Sequence, residues 1–408
     1  MVSRTACIAM WWCVLITPGR VALGQAVEGV PDKAVASIEK REAQVPLGLR
    51  AGVFEFYPAI EVSAVHTNNV EQSSSDSVAA AGLKVAPHLK LKTNWVRHEF
   101  NLEATGERID FIDHPDAATT EGEVAGSLRI DIRRDTEAKL KFVAAQEQSA
   151  ASASDVADTA IDKLNEYEFG VSGELSRYSG RFGGTIGAGL TRISYGDVKL
   201  AGGGKEDTAD LNYLEPHAGF AVTYHGSSKV RPLIAGDISS RVYDLKTDED
   251  GLERDSYAVS LKAGAQIESG RIWSATAGLQ YAIRTYKDDA LSDFSGFGFF
   301  ANAVWRPSEL TGIEFSVEPG TTAHAGEIKI THEFREYLKA QAWGSAEYSI
   351  SNGVDDASLT LEWGGELSYR MGQTLWLLAG VDQTRYLPQG DTQGYSETQV
   401  KAGLRIAR

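Results

Sequence analysis

The residues of this chain that could carry covalent or metal chemistry are few and scattered. Ser172 stands in Gly170-Val171-Ser172-Gly173, the nearest approach to the G-x-S-x-G elbow that exposes a nucleophilic serine. The second glycine comes one position early and the string lies inside an alternating, strand-like run, so it reads as small residues fitting a curved wall. The eight histidines are scattered singly, without the i, i+4 or HExxH spacing that builds a zinc site. His324 and His332 fall on either side of an expected loop. Gly202-Gly203-Gly204-Lys205 is followed by Glu206; it lacks the Walker spacing and the hydroxyl after the lysine, and reads as an external loop. Asp248-Glu249-Asp250 and Asp288-Asp289 could hold divalent cations loosely, but they lack EF-hand spacing and read as solvated loop tips. The expectation is a protein that is no enzyme, with no catalytic, metal or cofactor-binding residues.

What remains is charge of both signs at alternate positions along strand-like runs. The residues expected to line an inner wall are Lys84, Arg97, Glu99, Glu103, Arg129, Asp131, Lys141, Glu168, Glu174, Arg231, Asp237, Arg241, Lys262, Arg284, Glu362 and Arg370. Most would pair across strands and stiffen that wall. Together with hydroxyls and amides, they would also let a polar solute slide past without a deep trap, since favourable entry must be matched by easy exit.

Such a wall needs strands to position it, and the period-2 pattern supplies them from Arg50 onward. Phe54, Phe56, Pro58, Ile60 and Val62 share one face, with Glu55 and Glu61 on the other. Tyr257, Val259, Leu261, Ala263, Ala265 and Ile267 oppose Ser256, Ser260, Lys262 and Gln266. Short turns such as Lys92-Thr93-Asn94, Arg134-Asp135-Thr136 and Gly372-Gln373 alternate with longer polar stretches such as His66 to Ser77, Gly196 to Asp210 and Ser351 to Asp356. That alternation is the mark of an up-and-down barrel with tight periplasmic turns and longer outer loops. The expected fold is therefore all-β: a transmembrane up-and-down antiparallel β-barrel of about eighteen strands, an even number that returns both termini to one side. The short segments around Thr311 to Phe334, with Pro319 interrupting one, leave about sixteen as the other count. Tyr57, Trp95, Phe111, Tyr178, Phe182, Tyr195, Tyr224, Trp273, Trp305, Trp376 and Tyr386 lie near expected strand ends, where interfacial aromatics gather.

Ahead of the strands, Arg4, the apolar run Ala6 to Ile16 and the breakers Pro18 and Gly19 describe a secretory signal, with cleavage expected before Gln25. The run is too short to span a bilayer as a helix. The expected division is a signal peptide over 1–24, a periplasmic linker over 25–49 and the barrel over 50–408. Both cysteines, Cys7 and Cys13, fall in the signal, so disulfide chemistry is excluded from the mature chain. Losing Arg4 and Arg20 takes the formal charge from −16 to −18. That acidity argues against nucleic acid as a partner.

The stretch Gly52-Val53-Phe54-Glu55-Phe56-Tyr57-Pro58-Ala59-Ile60-Glu61, then His66-Thr67-Asn68-Asn69-Val70, then Gly82-Leu83-Lys84-Val85-Ala86-Pro87-His88-Leu89, resembles the putative beta-barrel porin 2 family. In that family a Pro-centred first strand is followed by an Asp/Asn-Asn-Val turn and a second strand carrying a proline. The resemblance implies an outer-membrane component of an exopolysaccharide or capsule gene cluster, in a Gram-negative bacterium. It implies export of a polysaccharide substrate to the cell surface, with outer-membrane lipid, the barrel-assembly machinery and a periplasmic polysaccharide export protein as partners. One departure is the C-terminus, Gly403-Leu404-Arg405-Ile406-Ala407-Arg408, where barrels commonly end in an aromatic residue used in assembly. The alternative functions are a general or solute-selective diffusion porin and a structural or adhesive outer-membrane barrel.

Overall fold

The structure is a computed structural model that describes residues 48–74, 77–149, 163–200, 203–226, 229–248, 251–269, 272–350, 357–389 and 394–408. The expected signal peptide, all but the last two residues of the expected linker, and the expected loop stretches 150–160 and 351–356 lie outside the described residues.

Long strands follow one another with almost no helix between them. In chain order they are β1 (Phe54–Thr67), β2 (Ala80–Thr93), β3 (Glu99–Phe111), β4 (Thr119–Arg133), β5 (Thr136–Ser149) and β6 (Leu164–Ser179). Next come β7 (Phe182–Tyr195), β8 (Tyr213–Tyr224), β9 (Val230–Tyr243), β10 (Ser256–Ser269), β11 (Trp273–Tyr286) and β12 (Phe294–Ser308). The series ends with β13 (Thr311–Pro319), β14 (Ala323–Arg335), β15 (Leu338–Ile350), β16 (Ala357–Arg370), β17 (Leu375–Pro388) and β18 (Tyr395–Ala407). Each pairs antiparallel with its neighbours in sequence, and β1 pairs with β18 from Ala59↔Ala407 to Thr67↔Gln399, so the sheet closes on itself. The wall is a closed barrel of eighteen strands. Lipid offers no partner for a free N–H or C=O, and closure is what satisfies the strand edges there.

One edge outlasts its neighbour. β18 stops opposite Ala59, leaving the first residues of β1 beyond it; the short strand Leu49–Ala51 folds back at Gly52 (φ 63°) and pairs with Phe54, Glu55 and Phe56. Below it, Arg408 donates its backbone N–H to the carbonyl of Pro58 at 3.0 Å. The short segments from Thr311 onward form two strands, which gives the count of eighteen rather than sixteen. β13 is short because Pro319, which has no N–H to give a ladder, ends it; the carbonyl of Pro319 instead accepts from Gln280 Nε2 at 2.9 Å.

The two faces of the wall differ as the alternation requires. Ile60, Val62, Leu83, Leu140, Phe169, Ile186, Ile234, Leu261, Leu279, Phe297, Leu367 and Leu404 point outward and are exposed. So broad an apolar surface is a liability in water but the required surface in lipid. At the end with the described terminus and the short turns, Tyr178, Phe182, Trp273, Trp305, Tyr337 and Tyr369 are exposed aromatics, with Trp273 registered against Trp305 and Tyr337 stacked edge-on to Tyr369 at 5.5 Å. The girdle expected from Phe111, Tyr195 and Tyr386 at the loop end needs correction. Phe111 and Tyr386 are buried, and Tyr386 stacks on Tyr395 at 5.6 Å on the inner side, while Tyr195 packs against a loop cluster of Leu164, Val198 and Leu211. These aromatics follow strand parity into the interior.

Leu261, near mid-strand in β10, and Asn302, on the inner face of β12, separate the two solvents. Leu261→Arg should lower the unfolding free energy in lipid vesicles by about 2–4 kcal/mol, whereas Asn302→Arg should leave it nearly unchanged. Urea titration of vesicle-folded protein, followed by tryptophan fluorescence, measures both.

Candidate functional site

The barrel interior is where the charged positions converge. Lys84 on β2, Glu107 on β3, Glu121 on β4, Trp343 on β15, Glu362 on β16, Asp382 on β17 and Lys401 on β18 line one cavity, with Val70 and Gln72 of the first loop bordering it. Strands as far apart in the wall as β4 and β16 share a cavity only on the concave side. That settles which face is the inner one.

Within the cavity wall, Lys84 Nζ lies 2.5 Å from Glu107 Oε2, with both side chains nearly inaccessible. Lys401 Nζ lies 3.3 Å from Glu366 and 3.8 Å from Asp382, and 5.9 Å above the ring of Trp343. Gly364 lets that indole lie flat, since a Cβ there would meet it at 2.6 Å. Arg405 reaches Glu61 at 2.9 Å and Glu366 at 3.7 Å. Two carboxylates take hydrogen bonds from neutral groups instead: Glu362 from Ser345 at 3.4 Å, and Glu397 from Thr67 at 2.7 Å and Gln72 at 2.9 Å. The cavity lining holds Glu107, Glu121, Glu362, Asp382 and Glu397 against Lys84, Lys163 and Lys401, so carboxylates outnumber ammonium groups.

A second cluster sits at the loop end of β8 to β11. Glu215 accepts from Ser239 and twice from Arg241, at 3.0 to 3.1 Å, with Arg284 3.7 Å away. Arg241 stacks over Tyr213 at 4.2 Å. Arg284 donates to Ser256 Oγ and to Thr321 Oγ1, each at 2.8 Å, and so ties the β13–β14 turn to the inner wall. That turn fits because β12 carries glycine there: a Cβ on Gly298 would lie 2.3 Å from Pro319.

The first loop also turns inward. Val70 packs with Val65, Ala80, Ile109 and Phe111, residues of the inner face of β1 to β3. Asn68 continues the β1–β18 ladder, its N–H donating to Thr398 O and its side-chain oxygen accepting from Thr398 N. Asn69 Nδ2 donates to the carbonyls of Ser73 and Ser396 at 2.8 and 3.1 Å, and its Oδ1 accepts from Ser73 N.

The strand register places the expected lining residues as follows. Glu99 pairs with Arg129, which also meets Asp131. Glu103 meets His88 at 2.8 Å, Lys141 meets Glu174 at 3.3 Å, and Arg231 meets Glu268 at 3.0 Å. Asp237 accepts from Ser260, Lys262 lies 5.8 Å over the Phe300 ring, and Glu168 stands opposite Ile193 and Ala145. Arg370 is at the short-turn rim, where it donates to the carbonyl of Gly372. Arg97 is a correction: it lies in the exposed turn between β2 and β3, not in a strand, and donates to the backbone of Asp131. Absent from the expected lining were Glu107, Glu121, Lys163, Glu215, Asp382, Glu397, Lys401 and Arg405, whereas Glu61 lies on the polar face that the alternation gives it. Several were readable, since Glu397, Gln399, Lys401, Gly403 and Arg405 alternate with Val400, Ala402, Leu404 and Ile406. The inward turn at Asn68–Ser74 left no comparable signal.

The other chemical candidates take structural places. Ser172 is buried within β6. His324 and His332 share β14, correcting the loop expected between them; eight residues of strand put them roughly 27 Å apart. Gly203 and Gly204 have φ of 81° and 101°, and Lys205 pairs with Lys199 in a small hairpin. Asp248 meets Arg254 at 3.4 Å. Asp288 accepts the N–H groups of Ala290 and Glu253, which hold its carboxyl below the usual range. Among the described residues no group of His, Asp or Glu is arranged to hold a metal.

Residues 42–408 match the family model described as Putative beta-barrel porin 2. The chain belongs to this family. It is a porin-type barrel of the outer membrane. No curated protein matches the sequence. Among solved structures, the siderophore receptor PirA from Acinetobacter baumannii aligns at 6% identity over 86% of this chain and 80% of that one, with a TM-score of 0.45. OccK2 (OpdF) from Pseudomonas aeruginosa aligns at 12% identity over 87% and 98%, TM-score 0.43. A BenF-like porin from Pseudomonas fluorescens Pf-5 aligns at 9% identity over 86% and 99%, TM-score 0.42.

The surplus of carboxylates in the lining of this cavity predicts preference for cations over anions. In planar bilayers under a KCl gradient, the reversal potential should have the sign of potassium selectivity, and Glu362→Lys should move it toward chloride. An anion-selective parent protein would show that the cavity does not control permeation.

Proposed function

We propose that this barrel is a conduit that passes exopolysaccharide or capsular polysaccharide to the surface of a Gram-negative cell, without enzymatic activity of its own. The observation that carries the reading is the chemistry of the interior: charges of both signs, largely paired with one another, interleaved with hydroxyls, amides and an indole. Paired charges leave hydrated, low-affinity contacts along a wall, which suits a hydroxyl-rich chain that must keep moving. Family membership supports a pore, and the resemblance at Phe54–Glu61, His66–Val70 and Gly82–Leu89 supports the polymer. The partners of this reading are outer-membrane lipid, the barrel-assembly machinery and a periplasmic polysaccharide export protein at the short-turn end; nucleic acid is not among them.

A diffusion porin is the second reading, favoured by the two loops that turn inward at Asn68–Ser74 and Gly320–Thr322. Loops of this kind narrow a lumen toward the size of small solutes. The two readings part in a clean deletion strain complemented with the intact gene. Export requires that extracellular polysaccharide fall on deletion and return on complementation. Unchanged polymer with slowed uptake of small cationic solutes would replace export with the diffusion porin.

A further inference from the structure

We infer that the turn Asn68–Ser74 is a movable latch over the mouth of the interior cavity, clasped shut by the carboxylate of Glu397. The latch reading rests on the channel reading above but has its own observable.

Its parts are separable. The hinge is Asn68, whose two bonds to Thr398 extend the β1–β18 ladder by one step. The brace is Asn69, which holds the turn's own Ser73 and the opposite strand's Ser396. The plug is Val70, 3% exposed, seated on Val65, Ile109 and Phe111. The clasp is Gln72, whose amide donates to Glu397 Oε2 while Thr67 holds Oε1.

Two features point to motion rather than to a fixed wall. Gln72 has φ 54°, and among the described residues it is the one non-glycine in the left-handed region. A side chain there is strained, and such strain persists only where neighbours over-determine it. The clasp adds to that constraint, beside the Gln72 N–H bond to Asn69 O at 3.2 Å, through an amide on a carboxylate; both side chains are buried against the cavity, from which a cation would compete with the amide for Glu397. Release of Gln72 relieves the strained backbone and lets the Val70 side chain leave its seat, with Asn68 on the β18 side and the Val70 N–H bond to Val78 O (2.8 Å) on the β2 side as the anchors about which the turn moves. This also accounts for the residue order Thr67-Asn68-Asn69-Val70: each member performs a different task in one turn.

The expected mature chain lacks cysteine, so single thiols report directly. In the protein purified and folded into vesicles, Val70→Cys should react slowly with a membrane-impermeant maleimide. Adding Gln72→Ala should speed that labelling about tenfold, the change expected for loss of one hydrogen bond to a charged group. Equal labelling rates in the two proteins would overturn the latch. In planar bilayers, Gln72→Cys with Glu397→Cys, bridged by a short bis-methanethiosulfonate reagent, should conduct less than the unbridged pair and recover on reduction. Unchanged conductance on bridging would likewise overturn it. A parent protein that never conducts would instead count against the channel reading, while the labelling experiment would still decide the latch. Heat-modifiable migration on gels confirms that each variant has folded.

Discussion

Every feature of this molecule follows from the need to pair backbone N–H and C=O groups where no water can. Lipid leaves an unpaired strand edge costing several kcal/mol per group, so the sheet must close, and an up-and-down sheet that closes antiparallel needs an even number of strands. The same constraint explains the details at the seam. β18 ends before β1 does, and the exposed remainder of β1 is covered by Leu49–Ala51. Where Pro319 cannot serve the ladder, β13 stops and its carbonyl finds Gln280 across the inner face of β12.

Closure also creates the interior, because alternate side chains have nowhere else to go. On the outer face the lipid selects apolar residues one by one; on the inner face selection acts on neighbours, since a charge needs a partner or water. The pairs that result join adjacent strands, as in Lys84–Glu107 and Lys141–Glu174, or skip strands where the wall is concave, as in Arg284–Glu215. Glu362 and Glu397 depart from that pattern by resting on neutral donors, although they line the same cavity as the paired Lys84 and Glu107.

The strand pattern was legible because a period of two survives any amount of surface variation: one apolar position in two is enough to place a segment and its faces. Arg97 was misplaced because parity carries no information once the chain has left a strand. Phe111, Tyr195 and Tyr386 were assigned to lipid because they lie near strand ends, while parity and loop packing turn them elsewhere. Lys401 and Glu397 were within reach of the same alternation that exposed Lys262 and Glu362. What no local pattern could supply was the inward course of the first loop, since it depends on contacts from Thr67 to Glu397, residues separated by 330 positions and brought together only by closure.

That dependence bears on how such a barrel acquires selectivity. Strand number sets an upper limit on the bore, but a wall this regular distinguishes solutes poorly by itself. Discrimination has to come from what is laid across the inside. In this chain one such element, the first loop, is hung from the seam: it is held by the last strand, so the turn that borders the cavity can take its seat only after β1 and β18 have met. Coupling the seating of this turn to the final pairing means that an incompletely closed barrel also lacks its inward-turned first loop. Closure and the seating of the first loop thus rest on the same few residues between Thr67 and Gln72, and substitutions there act on both.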